Sequence, residues 1–125
     1  MDRVWIGLGA LAGVSAVAMA AVAAHGLPGR LDAAALAMVQ QAVQMQGWHA
    51  LALLFCGMWA RRGGVLAHLA GAAFALGLLL FCGAVYLLTL TGVRLPMVAP
   101  TGGTVLMLGW ILVGLSALRW SRRDA

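Results

Sequence analysis

Four long apolar runs restrict this chain to folds that live in lipid. They cover roughly residues 4–24, 43–61, 65–90 and 102–120, and none of them contains an aspartate or glutamate. About 20 such residues make one helix across the hydrocarbon core, and a helix satisfies its own backbone N–H and C=O groups there. Composition agrees: 64% of the residues are hydrophobic and 9% charged, with a mean hydropathy of +1.01. Soluble domains carry about a quarter charged residues. The chain is therefore read as a single all-α integral membrane domain over residues 1–125. Its expected form is a four-transmembrane-helix bundle, too small to enclose a large lumen.

Net charge and its placement narrow the partners. The formal charge is +5, but all eight basic residues are arginines, set singly or in pairs beside apolar runs. This is topogenic charge, and no nucleic-acid surface is expected. With four spans, Arg3, Arg61, Arg62, Arg119, Arg122 and Arg123 fall on one side, and only Arg30 and Arg94 on the other. The positive-inside rule then puts both termini in the cytoplasm of a bacterial inner membrane.

The first run places Gly9, Gly13, Ala16, Ala20 and Ala23 on one helical stripe, with Gly9 and Gly13 forming a G-x-x-x-G. Small residues let helix backbones approach closely in lipid, although an Ala/Gly-rich run also yields such a stripe by chance. Met-Asp-Arg, the apolar run and Ala21-Val22-Ala23 resemble a secretory signal. The run is longer than the roughly 7–15 residues of a signal core, and cleavage is not expected.

His25-Gly26-Leu27-Pro28-Gly29-Arg30 turns the chain, and Asp32 can cap a new helix. Next comes the polar anomaly of the sequence, Val39 to Leu54, with four glutamines and a histidine leading into membrane-grade residues. Gln40, Gln41 and Gln44 share one face, while Met38, Ala42, Met45, His49, Leu53 and Cys56 share another. The expectation is an interfacial helical extension that lies at the membrane surface until about Val43 and then enters the bilayer. Gly63-Gly64 is expected to break the helix. In the next run Gly64, His68, Gly71, Ala75, Cys82, Tyr86 and Thr89 form a stripe turned toward the bundle interior, with Gly71 and Ala75 as packing positions. The fourth span is expected to start near Gly102.

Depth along the helices limits the chemistry. Cys56 and Cys82 are separated along the membrane normal by roughly 15 Å at 1.5 Å per residue, beyond the ~7 Å reach of a disulfide. The three histidines fall at different depths, so no metal site is assembled, and neither a His-Glu-x-x-His nor a serine with base and acid is present. Enzymatic chemistry is not favoured, and no cofactor is assigned. A haem would need His25 and His49 on facing helices at one depth, and it ranks below the other readings. Polar residues toward the outer half do converge: His25, Gln46, His49, Tyr86, Thr89 and Thr104. They form either a set of interhelical hydrogen bonds or a binding site.

The residues assembled so far resemble the family of small bacterial inner-membrane proteins known as domain of unknown function 423 (DUF 423), with eukaryotic relatives called transmembrane protein 256. The resemblance rests on Ala24-His25-Gly26-Leu27, on Ala42-Val43-Gln44-Met45-Gln46 with Trp48-His49-Ala50-Leu51-Ala52-Leu53, and on Leu80-Phe81-Cys82-Gly83 with Tyr86-Leu87. Leu90-Thr91-Gly92, Pro100-Thr101-Gly102-Gly103 and Gly109-Trp110 complete it. These blocks cover most of the chain in order. Two departures stand out: Ala21-Val22-Ala23 replaces a usual Phe-Gly pair, and Trp48 stands where tyrosine is common. The resemblance implies a four-helix membrane protein and supplies no activity.

Taken together, the chain is expected to be a non-enzymatic accessory, assembly or scaffold protein, partnered by the bilayer and by copies of itself or a larger membrane complex. The alternative is a carrier or binding protein for a small molecule, ion or lipid entered from the outer side.

Overall fold

The structure is a computed structural model that describes residues 1–124, with side chains as far as Arg122. It contains three helices in chain order: α1 Asp2–His25, α2 Ala33–Thr91 and α3 Val98–Asp124. All three are long and apolar enough to cross a membrane. The expected four-transmembrane-helix bundle is therefore corrected to three helices, because the second and third expected spans belong to one element.

The physical reason lies at Gly64. Its φ of 59° and ψ of −141° are the one non-helical backbone setting inside α2, a region of φ/ψ space essentially reserved for glycine. One residue thus carries the whole reversal, and no loop separates the helical residues on its two sides. Straight, the 59 residues of α2 would measure about 90 Å, three times the hydrocarbon thickness. Instead α2 folds back: the Cys82 thiol reaches the Ala42 carbonyl at 3.4 Å, and the Tyr86 hydroxyl reaches Gln46 at 2.8 Å. We call the parts before and after Gly64 its leading and returning arms.

Both other helices pack on both arms. On α1, Gly9 lies against Ala50 and Leu54 of the leading arm, while Trp5 covers Gly71 of the returning arm. On α3, Leu106 lies against Gly77 of the returning arm, and Trp110 bonds His49 of the leading arm. Among the described residues α1 and α3 do not pack on each other. They occupy the two grooves on either side of the paired arms, so the molecule is a folded central helix flanked twice.

Close approach depends on a few small residues. A Cβ at Gly9 would stand 2.9 Å from the Ala50 carbonyl, and one at Gly102 would stand 2.5 Å from the Phe81 amide nitrogen. Gly13 behaves differently, its nearest neighbour being the Ala50 Cβ at 4.0 Å. Only one half of the G-x-x-x-G is a tight contact. Gly71 is covered by the Trp5 ring, and Ala75 is partly buried against the core. The main core gathers Trp5, Leu53, Cys56, Phe74, Leu78 and Leu106 from all three helices.

The segment before Val43, expected as an interfacial helical extension, is continuous with α2 and packs on the rest of the fold: Val39 and Ala42 are fully buried, and Val39 packs with Ala23 and Leu27. The apolar face of this first stretch closes over the end of α1, while Gln40, Gln41 and Gln44 stay exposed as expected. Asp32 does cap α2, accepting from the Ala35 amide at 2.7 Å. The start of α3 moves from 102 to Val98, which places Thr101, Gly102 and Gly103 inside the helix. Gly102 serves there as a packing surface and not as a turn.

Candidate functional site

Three tryptophans set the pattern of polar contacts. An indole N–H buried in an apolar setting needs an acceptor, and each of the three finds one on a neighbouring helix. Trp5 donates to Nδ1 of His68 at 2.9 Å, Trp59 to the Ser116 hydroxyl at 2.9 Å, and Trp110 to Nε2 of His49 at 3.0 Å. The last contact decides the His49 tautomer. Because Nε2 accepts, the proton sits on Nδ1, which donates back to the Met45 carbonyl at 2.7 Å. A tilted contact with Phe74 and an edge contact with Trp110 enclose the ring, which is 3% exposed.

A second network lies between α1 and the two arms of α2. The Tyr86 hydroxyl donates to Oε1 of Gln46 at 2.8 Å, and the Gln46 amide donates to the Ser15 hydroxyl at 2.7 Å and the Ala12 carbonyl at 3.0 Å. Ser15 in turn donates to its own helix, at the Leu11 carbonyl, 2.8 Å away. One glutamine ties three segments together. All the donors of this network are used, and its spare capacity consists of acceptors only.

The expected polar set is thus divided. Gln46 and Tyr86 meet directly, whereas His49 belongs to the separate contact with Trp110. Thr89 returns its hydroxyl to the Val85 carbonyl and Thr104 to the Pro100 carbonyl, each on its own helix. His25 is exposed at the end of α1. Gly9 of α1 is level with Ala50, and the two helices run antiparallel. His25, 16 residues further along α1, is therefore roughly 20 Å from the level of His49. The two imidazoles do not face each other, and both nitrogens of His49 are engaged, so these residues do not fit a paired-histidine haem.

Ser15, Trp110, Ser116 and Trp5 take part in these networks although their positions in the sequence suggested no role for them. A signal for the tryptophans does exist, since each indole in an apolar run demands an acceptor. Ser15 is concealed in a small-residue helix. Among the described residues no buried side-chain nitrogen or oxygen lacks a partner, and no group of three metal-ligating side chains forms.

Two of the surface clefts among the described residues border these networks. One, about 320 Å³, lies between α1 and the returning arm, with Ser15, Gln46 and Tyr86 among its lining and exposed Leu8, Leu11 and Leu79 at its rim. The other, about 550 Å³, runs between the leading arm and α3 and is lined by Trp48, Leu51, Ala52, Phe55, Phe74, Trp110 and Val113. Cys56 and Cys82 are both buried free thiols.

Known proteins are similar to this chain over most of its length. The model of a family described as "Protein of unknown function (DUF423)" matches residues 19–103. A UPF0382 membrane protein of Staphylococcus epidermidis is 33% identical over 120 residues, covering 95% of this chain and 98% of its own. A UPF0382 membrane protein of Haemophilus influenzae is 32% identical over 120 residues, covering 95% and 97%. A UPF0382 inner membrane protein of Escherichia coli is 33% identical over 116 residues, covering 91% and 88%. No solved structure matches the chain.

Proposed function

We propose, from the premise that this chain belongs to the DUF423 family of membrane proteins, that it works without catalysis, as an accessory, assembly or scaffold protein of the bacterial inner membrane. The observation that carries this reading is the aromatic cleft between the leading arm of α2 and α3. Trp48 is 55% exposed, Leu51 67% and Trp110 50%, and they line one continuous apolar concavity. A partner helix could lay its apolar face there, as helices do in hydrophobic grooves. The buried polar groups, by contrast, are spent on one another and leave no set of side chains poised to react.

Orientation belongs to the same proposal. Arg61 lies 3.9 Å from Asp2, and Arg62 stacks over Trp120, so the start of α1, the α2 bend and the end of α3 share one end of the molecule. Arg30 and Arg94 lie in the two loops remote from the bend. The positive-inside rule then favours both termini in the cytoplasm.

The test is photo-crosslinking in cells from a benzophenone residue placed at Leu51 or Phe55, with Leu79 as the control position. A discrete crosslinked species, either a dimer or a heteromer, is expected from the cleft positions alone. Crosslinks to lipid only, from all three positions, would remove the reading.

A second reading, binding of a small membrane-dissolved molecule, is favoured by the other cleft. Its leucine rim opens sideways into the region of the acyl chains, and its floor offers the spare acceptor capacity of Gln46 and Tyr86. A ligand with an apolar body and one hydroxyl donor suits that floor. Mass spectrometry of extracts from wild type and Gln46→Leu would test it, the bound compound being expected in the first and reduced in the second.

A further inference from the structure

The end of the molecule that holds the α2 bend carries a second kind of site. Arg62, Gly64, Ser116, Arg119 and Trp120 surround a small pocket of about 60 Å³ between the bend and the end of α3. That volume is several times what one water needs, which suits a compact group such as a phosphate and not a ring. Two arginines, Arg62 and Arg119, contribute to its wall. The Arg62 guanidinium is held 5.9 Å over the Trp120 ring, Trp120 meets Trp59 edge to face at 5.7 Å, and Trp59 is anchored to Ser116. Arg62 lies one turn beyond Trp59 on the leading arm, and the bend at Gly64, with a φ of +59°, closes the pocket beside it.

Charge at this end is unbalanced. Arg61 has Asp2 within 3.9 Å, while Arg62 and Arg119 have no carboxylate within ion-pair distance among the described residues. Apolar side chains lie exposed close by. Val65, in the pocket wall, is 70% exposed, Met58, one turn before Arg62, is 71% exposed, and Leu118, next to Arg119, is 61% exposed. Tryptophan at a span's end marks the headgroup level of a bilayer. Arginine matches phosphate oxygens through its planar fork, and basic pockets between helices at this level take anionic headgroups.

We propose that this pocket binds the phosphate of an anionic phospholipid, with Arg62 and Arg119 as its ligands and Trp120 holding Arg62 in place. A lipid is favoured over free phosphate because apolar side chains continue from the pocket down the helix surface, giving the acyl chains a path. The site is separate from both clefts described above and does not depend on either reading of them.

The experiment uses the full chain in mild detergent, titrated in turn with phosphatidylglycerol, phosphatidylethanolamine and inorganic phosphate. Thermal unfolding and native mass spectrometry are the two readouts. For wild type, phosphatidylglycerol is expected to remain bound and to raise the unfolding temperature, while phosphatidylethanolamine and phosphate do neither. Each arginine beside an anionic headgroup contributes a factor of about five. Arg62→Gln with Arg119→Gln should therefore lower phosphatidylglycerol retention by about 25-fold, and Arg30→Gln with Arg94→Gln should leave it unchanged. Equal retention of the two lipids by wild type overturns the proposal. So does an equal response to inorganic phosphate, or equal loss in both variant pairs. Should the Arg62/Arg119 pair fail to fold, the wild-type titration decides alone.

Discussion

Trp110 on α3 and His49 on α2 form a donor–acceptor pair at 3.0 Å, and that contact dictates where the imidazole keeps its proton. Its neighbours Phe74 and Trp110 exclude water from the ring. Losing either partner strands the other. His49→Leu leaves the indole N–H without an acceptor and is expected to cost about 1–2 kcal/mol, with Trp110→Phe costing less. In a double-mutant cycle by detergent unfolding, the coupling should lie in the range of about 0.6–1.7 kcal/mol found for interhelical bonds in membranes. Strictly additive losses would show that the two rings merely pack.

Gln46 supports more of the structure than its single side chain suggests, because it connects α1 to both arms of α2. Gln46→Leu should destabilise by about 1–3 kcal/mol, since it orphans the Tyr86 hydroxyl. Tyr86→Phe removes only one donor and should cost about 0.5–1.5 kcal/mol. The ordering of the two, read from unfolding midpoints, is the checkable outcome.

Glycine pairs that look alike in sequence should respond in opposite ways. Gly9→Ala and Gly102→Ala push a methyl to within 3.0 Å of backbone atoms and are expected to cost about 1–3 kcal/mol. Gly13→Ala and Gly103→Ala meet nothing closer than 3.9 Å and should be neutral or stabilising by about 0.5–1 kcal/mol through helix propensity. Thermal unfolding of the four single variants distinguishes them. Equal effects within each pair would mean that the helices do not approach as described.

The reversal in α2 depends on one residue. Gly64→Ala forces a methyl onto a backbone with φ of 59° and ψ of −141°, although the space around it is open. The expected loss is about 1–3 kcal/mol from backbone strain alone. Gly63→Ala gives no clean comparison, because Trp59 occupies the space its Cβ would need. Circular dichroism melts of wild type and Gly64→Ala suffice, and an unchanged midpoint would place the reversal elsewhere.

Both cysteines should behave as buried thiols. Cys56 is fully buried and Cys82 is 5% exposed, with its Sγ directed at the Ala42 carbonyl. In the folded protein a water-soluble maleimide is expected to label neither, and in denaturant both. Labelling of either cysteine in the native state would mean that the core opens there.

Membrane character and family were legible in the linear order of residues. Long apolar runs without a carboxylate point to helices in lipid, and the family model matches residues 19–103, the stretch that holds the blocks around His25, Gln44, Trp48 and Pro100. The asymmetry of exposure along Val39 to Leu54 was also readable, because a helix of period 3.6 places Gln40, Gln41 and Gln44 away from Ala42 and His49. The number of helices was not. Gly63-Gly64 looks like a stop signal, yet a single glycine with positive φ can reverse a helix without leaving a loop.

The sequence by itself determined the solvent this chain folds in, the stripes its helices present, and the need of each buried indole, imidazole and amide for a partner. These come from local chemistry and periodicity, which need no knowledge of neighbours. Only the tertiary structure decided which partner each group found. His49 met Trp110 and not His25, Gln46 met Ser15 as well as Tyr86, and Gly9 carried the contact that Gly13 did not. Those choices depend on the depth and rotation at which separate helices meet, and both were set by the reversal at Gly64 and the way α1 and α3 settle into the grooves beside it.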